Sequence, residues 1–193
     1  MVVTGTSEAA ITSRRTLLRA AGVSLATGGA LLAGCGKNSI RARVARVGPV
    51  PRSDVKLLNE LLDLEHLAID AYVAGTPLLQ RSAARAARHF LNQELSHAGE
   101  LAGLVKKAHA RPHRPKPSYD LGHPTSAEDV LGLLHRIEGA QLAAYLGALP
   151  ALGPGPIRAA IGAILANEAQ HIAVLRSYLH RSSVPSAFVT GRE

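Results

Sequence analysis

The segment "LNQELSHAGELAGLV", residues 91–105, decides how this chain is read. Its apolar residues recur at helical spacing, yet Glu94 and His97 stand on the same stripe as Leu101 and Leu104. Three positions apart, the two polar side chains project from one face of a helix. A carboxylate and an imidazole at core positions need a physical reason.

The pattern returns at "LANEAQHIAVL", residues 165–175, with Glu168 and His171 in the equivalent places. Upstream of each copy lies a second matched segment. "LLDLEHLAIDAY" (61–72) aligns with "LHRIEGAQLAAY" (134–145), setting Glu65 on Glu138 and Tyr72 on Tyr145. A helical hairpin is therefore duplicated, which implies a pseudo-two-fold axis.

Working outward, Pro and Gly clusters divide the rest into four helices. The first runs from about Ser53, with Asp54 as a capping residue, to Gly75. Thr76 and Pro77 offer an N-cap and a first-turn proline for the second, which ends near Ala110. Thr125 and Glu128 have capping-box spacing for the third, which reaches about Leu149. The fourth spans Pro156 to about Arg181, and residues 182–193 read as a frayed tail. Between the second and third helices, "RPHRPKPSYDLGHP" cannot be helical. Extended at roughly 3.1 Å per residue it reaches about 43 Å, the length of a whole helix here. One long crossover thus lets the third helix begin at the same end as the second.

Each helix has one inward seam, in steps of three and four. The seams read Leu58, Leu61, Glu65, Ala68, Tyr72; Ala83, Ala87, Phe90, Glu94, His97, Leu101, Leu104, Ala108; Leu131, Leu134, Glu138, Gln141, Tyr145; and Ile157, Ile161, Ile164, Glu168, His171, Leu175, Tyr178. An unpaired buried carboxylate costs several kcal/mol, so four would exceed a typical stability of ~5–15 kcal/mol. No Lys or Arg occupies these seams. Two divalent cations balance four carboxylates, with the imidazoles as neutral ligands. A metal pair in the core therefore explains why acid and imidazole stand where leucine belongs.

Residues 53–181, with one Glu on each of two helices and E-x-x-H on each of the other two, resemble the ferritin-like bacterioferritin and rubrerythrin superfamily. Within it the chain is most similar to secreted bacterial ferritin-like domain proteins. The resemblance implies an all-α, ferritin-like four-helix bundle of two antiparallel hairpins joined by the long crossover. It also implies that Glu65 and Glu138 are terminal metal ligands, that Glu94 and Glu168 bridge, and that His97 and His171 cap one metal each. Tyr72 and Tyr145 fall two turns beyond the terminal glutamates, where similar tyrosines hydrogen-bond a ligand or pass an electron. A plain core role fits these tyrosines equally well. Gln93 and Asn167 are second-sphere candidates or simply surface polar residues.

Departures from the family limit what is inherited. Gln141 stands where rubrerythrins carry another Glu, and no rubredoxin module follows. The only Met is the initiator, which removes a bacterioferritin-type haem ligand. His66, His109, His113, His123 and His135 read as surface or loop residues without duplicated partners.

The leader and the charge fix the setting. "SRRTLLR" (13–19) is a twin-arginine sequence, and the apolar run 20–33 is too short to span a bilayer. It ends in "LAGC", which resembles a lipobox with Cys35 as the lipidated residue. The reading is a signal peptide over 1–34, a basic linker over 35–52, and export to a membrane-anchored, extracytoplasmic position. The sole cysteine excludes disulfides and thiolate metal sites. The formal charge of +8 is concentrated in leader and linker, where it suits anionic headgroups or a solvated tether. Without interleaved aromatics, nucleic acid is not an expected partner.

Mixed carboxylate and imidazole ligation suits two divalent ions, iron by family habit, with Mn or Zn admissible. The leading expectation is a di-iron oxidoreductase acting on dioxygen or hydrogen peroxide. The alternative is a non-catalytic metal-binding or structural module, with a di-manganese catalase-like site as a third reading. A homodimer is compatible with the sequence.

Overall fold

The computed structural model describes residues 48–153 and 155–193. The leader, Cys35 and most of the basic linker lie outside the described residues. Four α-helices make up the body: α1 (Val55–Gly75), α2 (Arg81–Lys107), α3 (Ala127–Ala148) and α4 (Gly155–Tyr178). Among the described residues none is long and apolar enough to cross a membrane.

The two hairpins are α1–α2 and α3–α4, and α1 packs along α3. Tyr72 meets Glu138 and Tyr145 meets Glu65, so α1 and α3 run antiparallel. The crossover therefore returns the chain to the end where α2 begins, as the loop length predicts. It is irregular throughout and pinned to α1. Asn59 clamps it, its Oδ1 accepting from the His113 amide at 2.8 Å and its Nδ2 donating to the Arg111 carbonyl at 3.4 Å. The His113 ring meets Asp63 at 2.9 Å.

Of all the seam residues, only Tyr178 is not buried. Their apolar members form two clusters at opposite ends of the bundle. One includes Leu58, Leu61, Leu101, Leu104, Ile157 and Ile161; the other includes Ala68, Ala87, Phe90, Leu131, Leu134 and Leu175. Each fully buried Leu or Ile contributes about 1.5–3 kcal/mol. The polar seam residues occupy the belt between the clusters.

The helix ends depart from the sequence expectations in instructive ways. Asp54 does not cap α1; it sits in a short 3-10 turn (Arg52–Asp54), and its Oδ2 accepts from the Gly153 amide at 2.8 Å. It thereby ties the start of α1 to the α3–α4 turn. A β-carbon at Gly153 would lie 2.9 Å from that oxygen, so the close approach requires glycine. Thr76 and Pro77 form their own 3-10 turn, Thr76 donates back to the Tyr72 carbonyl, and α2 starts only at Arg81. The capping box of α3 lies one residue beyond Thr125 and Glu128. Ser126 accepts from the Asp129 amide at 3.1 Å and Asp129 from the Ser126 amide at 3.0 Å.

Helices α2 and α4 end alike. His109 and His180 adopt φ of 54° and 55°, and the residue after each donates to the carbonyl five positions back. This is the Schellman geometry, with histidine in place of the usual glycine. His109 thus has a structural counterpart after all.

Both flanks of the bundle are engaged. Val50 is buried in the first apolar cluster, three residues upstream of Ser53. The tail is not frayed at its end: buried Arg176 donates to the carbonyls of Ser182 and Glu193. Gly191 lies against the α3 backbone at Gly139, where a β-carbon on Gly139 would stand 2.8 Å from the Gly191 carbonyl oxygen.

Candidate metal centre

All six residues expected at the centre converge in the belt. Glu65, Glu94, Glu138, Glu168 and His171 are 0% exposed and His97 is 9% exposed. Their facing atoms form two overlapping groups that could each hold a metal ion: Glu65, Glu94, His97 and Glu168, and Glu94, Glu138, Glu168 and His171. Ligand atoms within each group lie within 4.8 Å of one another. Glu94 and Glu168 belong to both.

Outward-facing atoms are satisfied by neighbours, which leaves the inward ones free. Tyr145 donates to Glu65 Oε1, Tyr72 donates to Glu138 Oε1, and Gln141 Nε2 donates to Glu94 Oε2 at 3.0 Å. Glu65 Oε2, Glu94 Oε1, both Glu168 oxygens and His97 Nδ1 are buried without any hydrogen bond. His97 Nδ1 lies 2.8 Å from Glu168 Oε1 and 3.7 Å from Glu65 Oε2. His171 Nδ1 lies 3.1 Å from Glu94 Oε1, 3.3 Å from Glu138 Oε2 and 3.4 Å from Glu168 Oε2. Ligands at about 2.1 Å from a common cation stand about 3 Å apart when adjacent and about 4 Å apart when opposed. Orphaned buried acceptors at these separations fit divalent cations.

Without such ions the cluster holds protons instead. Burial lifts the Glu65 carboxyl to about 8, and burial with the nearby Glu94 charge lifts Glu138 well above the ordinary range. Burial pulls the imidazoles down, but facing carboxylates outweigh it. Glu168 and Glu65 hold His97 at about 10, and Glu138, Glu168 and Glu94 hold His171 at about 12. Burial would raise Glu168, yet the His171 and His97 imidazoles facing its two oxygens bring it down to about 2. Burial also raises both tyrosines, next to Glu138 and Glu65 respectively, so they remain donors.

The support around the two histidines is unequal. The Nε2 of His171 meets Gln93 Oε1 at 2.9 Å, which directs the Nδ1 lone pair inward. Phe90 stacks on the same ring, centroids 4.1 Å apart. For Asn167, the counterpart of Gln93, no hydrogen bond to His97 is found among the described residues. The duplication predicts two such contacts and the structure has one. Gln141, expected on the inward seam and noted as standing where rubrerythrins carry another Glu, is fully buried within the centre. His66 and His135 are half-buried outside it.

The Ferritin-like domain family matches residues 53–181, the whole bundle. This chain belongs to the ferritin-like domain family. In the fold comparison this ferritin-like protein is similar to the crystal structure of a conserved hypothetical protein from Mycobacterium tuberculosis. That match has a TM-score of 0.63 at 17% identity, covering 65% of this chain and 96% of the other. The likeness supports the fold alone. Among curated proteins no match was found.

Proposed function

We propose that this ferritin-like protein holds two iron ions in its bundle core and uses them to consume dioxygen or hydrogen peroxide outside the cytoplasm. Its twin-arginine leader directs export, and lipidated Cys35 anchors it to the membrane surface. The observation that carries the reading is the set of buried, unpartnered atoms on Glu65, Glu94, His97 and Glu168, grouped with Glu138 and His171.

In this assignment Glu65 and His97 would hold one ion, Glu138 and His171 would hold the other, and Glu94 and Glu168 would contribute to both. Bound iron would supply the electrons that reduce the oxidant, chemistry that no side chain here provides. The chain's own part is positional. Tyr72 and Tyr145 hold one oxygen of each terminal carboxylate and turn the other inward, Gln93 fixes the tautomer of His171, and the two apolar clusters keep bulk water from the belt.

Anaerobic loading with Fe(II), followed by oxidant, tests the proposal. Two irons per chain and rapid loss of ferrous iron on mixing are expected. Tight binding with no oxidation would instead identify a metal-binding module without turnover.

A further inference from the structure

The internal duplication makes one departure from symmetry informative. By the alignment of the two hairpins, the partner of Gln141 on α3 is Ala68 on α1. Both are fully buried, but only Gln141 reaches a glutamate, donating to Glu94 Oε2 at 3.0 Å. The corresponding glutamate, Glu168, has no amide or hydroxyl donor on either oxygen and faces only the two imidazoles. Those oxygens diverge, Oε1 toward His97 at 2.8 Å and Oε2 toward His171 at 3.4 Å. Glu94 differs: with Oε2 occupied, Oε1 alone faces both imidazoles, 3.1 Å from His171 Nδ1 and 3.9 Å from His97 Nδ1.

We propose that Gln141 is a positioning residue that restricts Glu94 to a single metal-facing oxygen, making the two shared carboxylates inequivalent. Glu168 would then offer one oxygen to each ion, whereas Glu94 would offer Oε1 alone. Packing does not account for an amide here. The Oε1 of Gln141 is buried without a donor, a cost that an apolar side chain of equal length would avoid. Nor can the amide be reversed, because its oxygen would then face the carboxylate oxygen. The consequence is a built-in difference between two sites that duplication alone would make alike. Released from Gln141, Glu94 is free to turn both oxygens onto one ion and abandon the other.

This inference rests on the dinuclear reading above, and Co(II) titration of the metal-free protein separates the two. Wild type is expected to bind two Co(II) per chain. Gln141→Met, equal in length but unable to donate, is expected to keep the first step and weaken the second by about 10- to 100-fold, the usual effect of removing a partner of a ligand. Its Co(II) absorption should change as the freed oxygen enters coordination, which a packing role would not produce. Gln141→Asn, whose amide is one methylene too short, should behave the same way and serves if the Met variant fails to fold. Wild-type stepwise constants and spectrum in a folded variant would overturn the role of Gln141. Failure of wild type to take up two Co(II) would overturn the dinuclear reading instead.

Discussion

Tyr72 lies on α1 and Glu138 on α3, and the hydroxyl of the first donates to the carboxylate of the second. The reciprocal contact, Tyr145 to Glu65, closes the pair. Each hairpin thus orients the terminal carboxylate of the other, so the centre cannot form within one hairpin alone. Tyr72→Phe is expected to retain both metals, since five carboxylate oxygens and two imidazoles still face inward. It should cost the metal-free fold about 1–3 kcal/mol by leaving Glu138 Oε1 unpaired, as read by denaturant unfolding. Loss of metal in that variant would show the tyrosine to be more than an orienting donor.

Shared and unshared ligands should separate under mutation. Glu94→Ala removes a residue common to both groups and is expected to abolish binding of both ions. Glu65→Ala touches only the His97 group and should leave one ion per chain. Metal analysis after gel filtration distinguishes the two, and equal stoichiometry in both variants would refute the division.

The pH response of the metal-free domain follows from the shifts. Folding raises Glu65 from 4.5 to about 8, His97 from 6.5 to about 10 and His171 from 6.5 to about 12. Each then contributes stability that is complete below its unfolded value and is lost as pH rises through its folded one. Glu168, lowered from 4.5 to about 2, acts oppositely and loses its contribution as pH falls below 4.5. The metal-free melting temperature should therefore decline from pH 5 to pH 9. Cations compete with those protons, so metal affinity should rise over the same range and loading should release protons. A metal-free melting temperature that climbs with pH would contradict this electrostatic account.

The tail contact is separable from the centre. A methyl group on Gly139 would press against the Gly191 carbonyl, which is backbone and cannot swing away. Gly139→Ala is expected to release residues 182–193 to limited proteolysis while helicity stays intact. An unchanged cleavage pattern would mean that Arg176 alone holds the tail.

Membrane attachment has its own test. Cys35→Ala should move the protein from the membrane fraction to the soluble extracytoplasmic fraction; unchanged partitioning would rule out the lipid anchor.

The four helices, the crossover and the six belt residues were legible because periodicity and duplication are properties of the chain alone. Buried Glu65 and Glu138 fell on seams whose other members had to be core. What escaped were choices between neighbouring residues of similar chemistry. Ser126 rather than Thr125 caps α3, and Asp54 serves the α3–α4 turn rather than its own helix. A local pattern cannot weigh a partner 99 positions away. The contact between Gln141 and Glu94 escaped for the same reason, since the two residues lie on different helices. His109 and His180 adopt positive φ where glycine would be looked for, so those helices stop at Lys107 and Tyr178, three residues before the ends read from the sequence.

Metal content of the native protein, purified without chelators, bears most directly on the whole account. Two iron ions per chain are predicted, falling to none in Glu94→Ala. A folded wild-type protein that carries no metal, and takes up none when Fe(II) is supplied anaerobically, would contradict it.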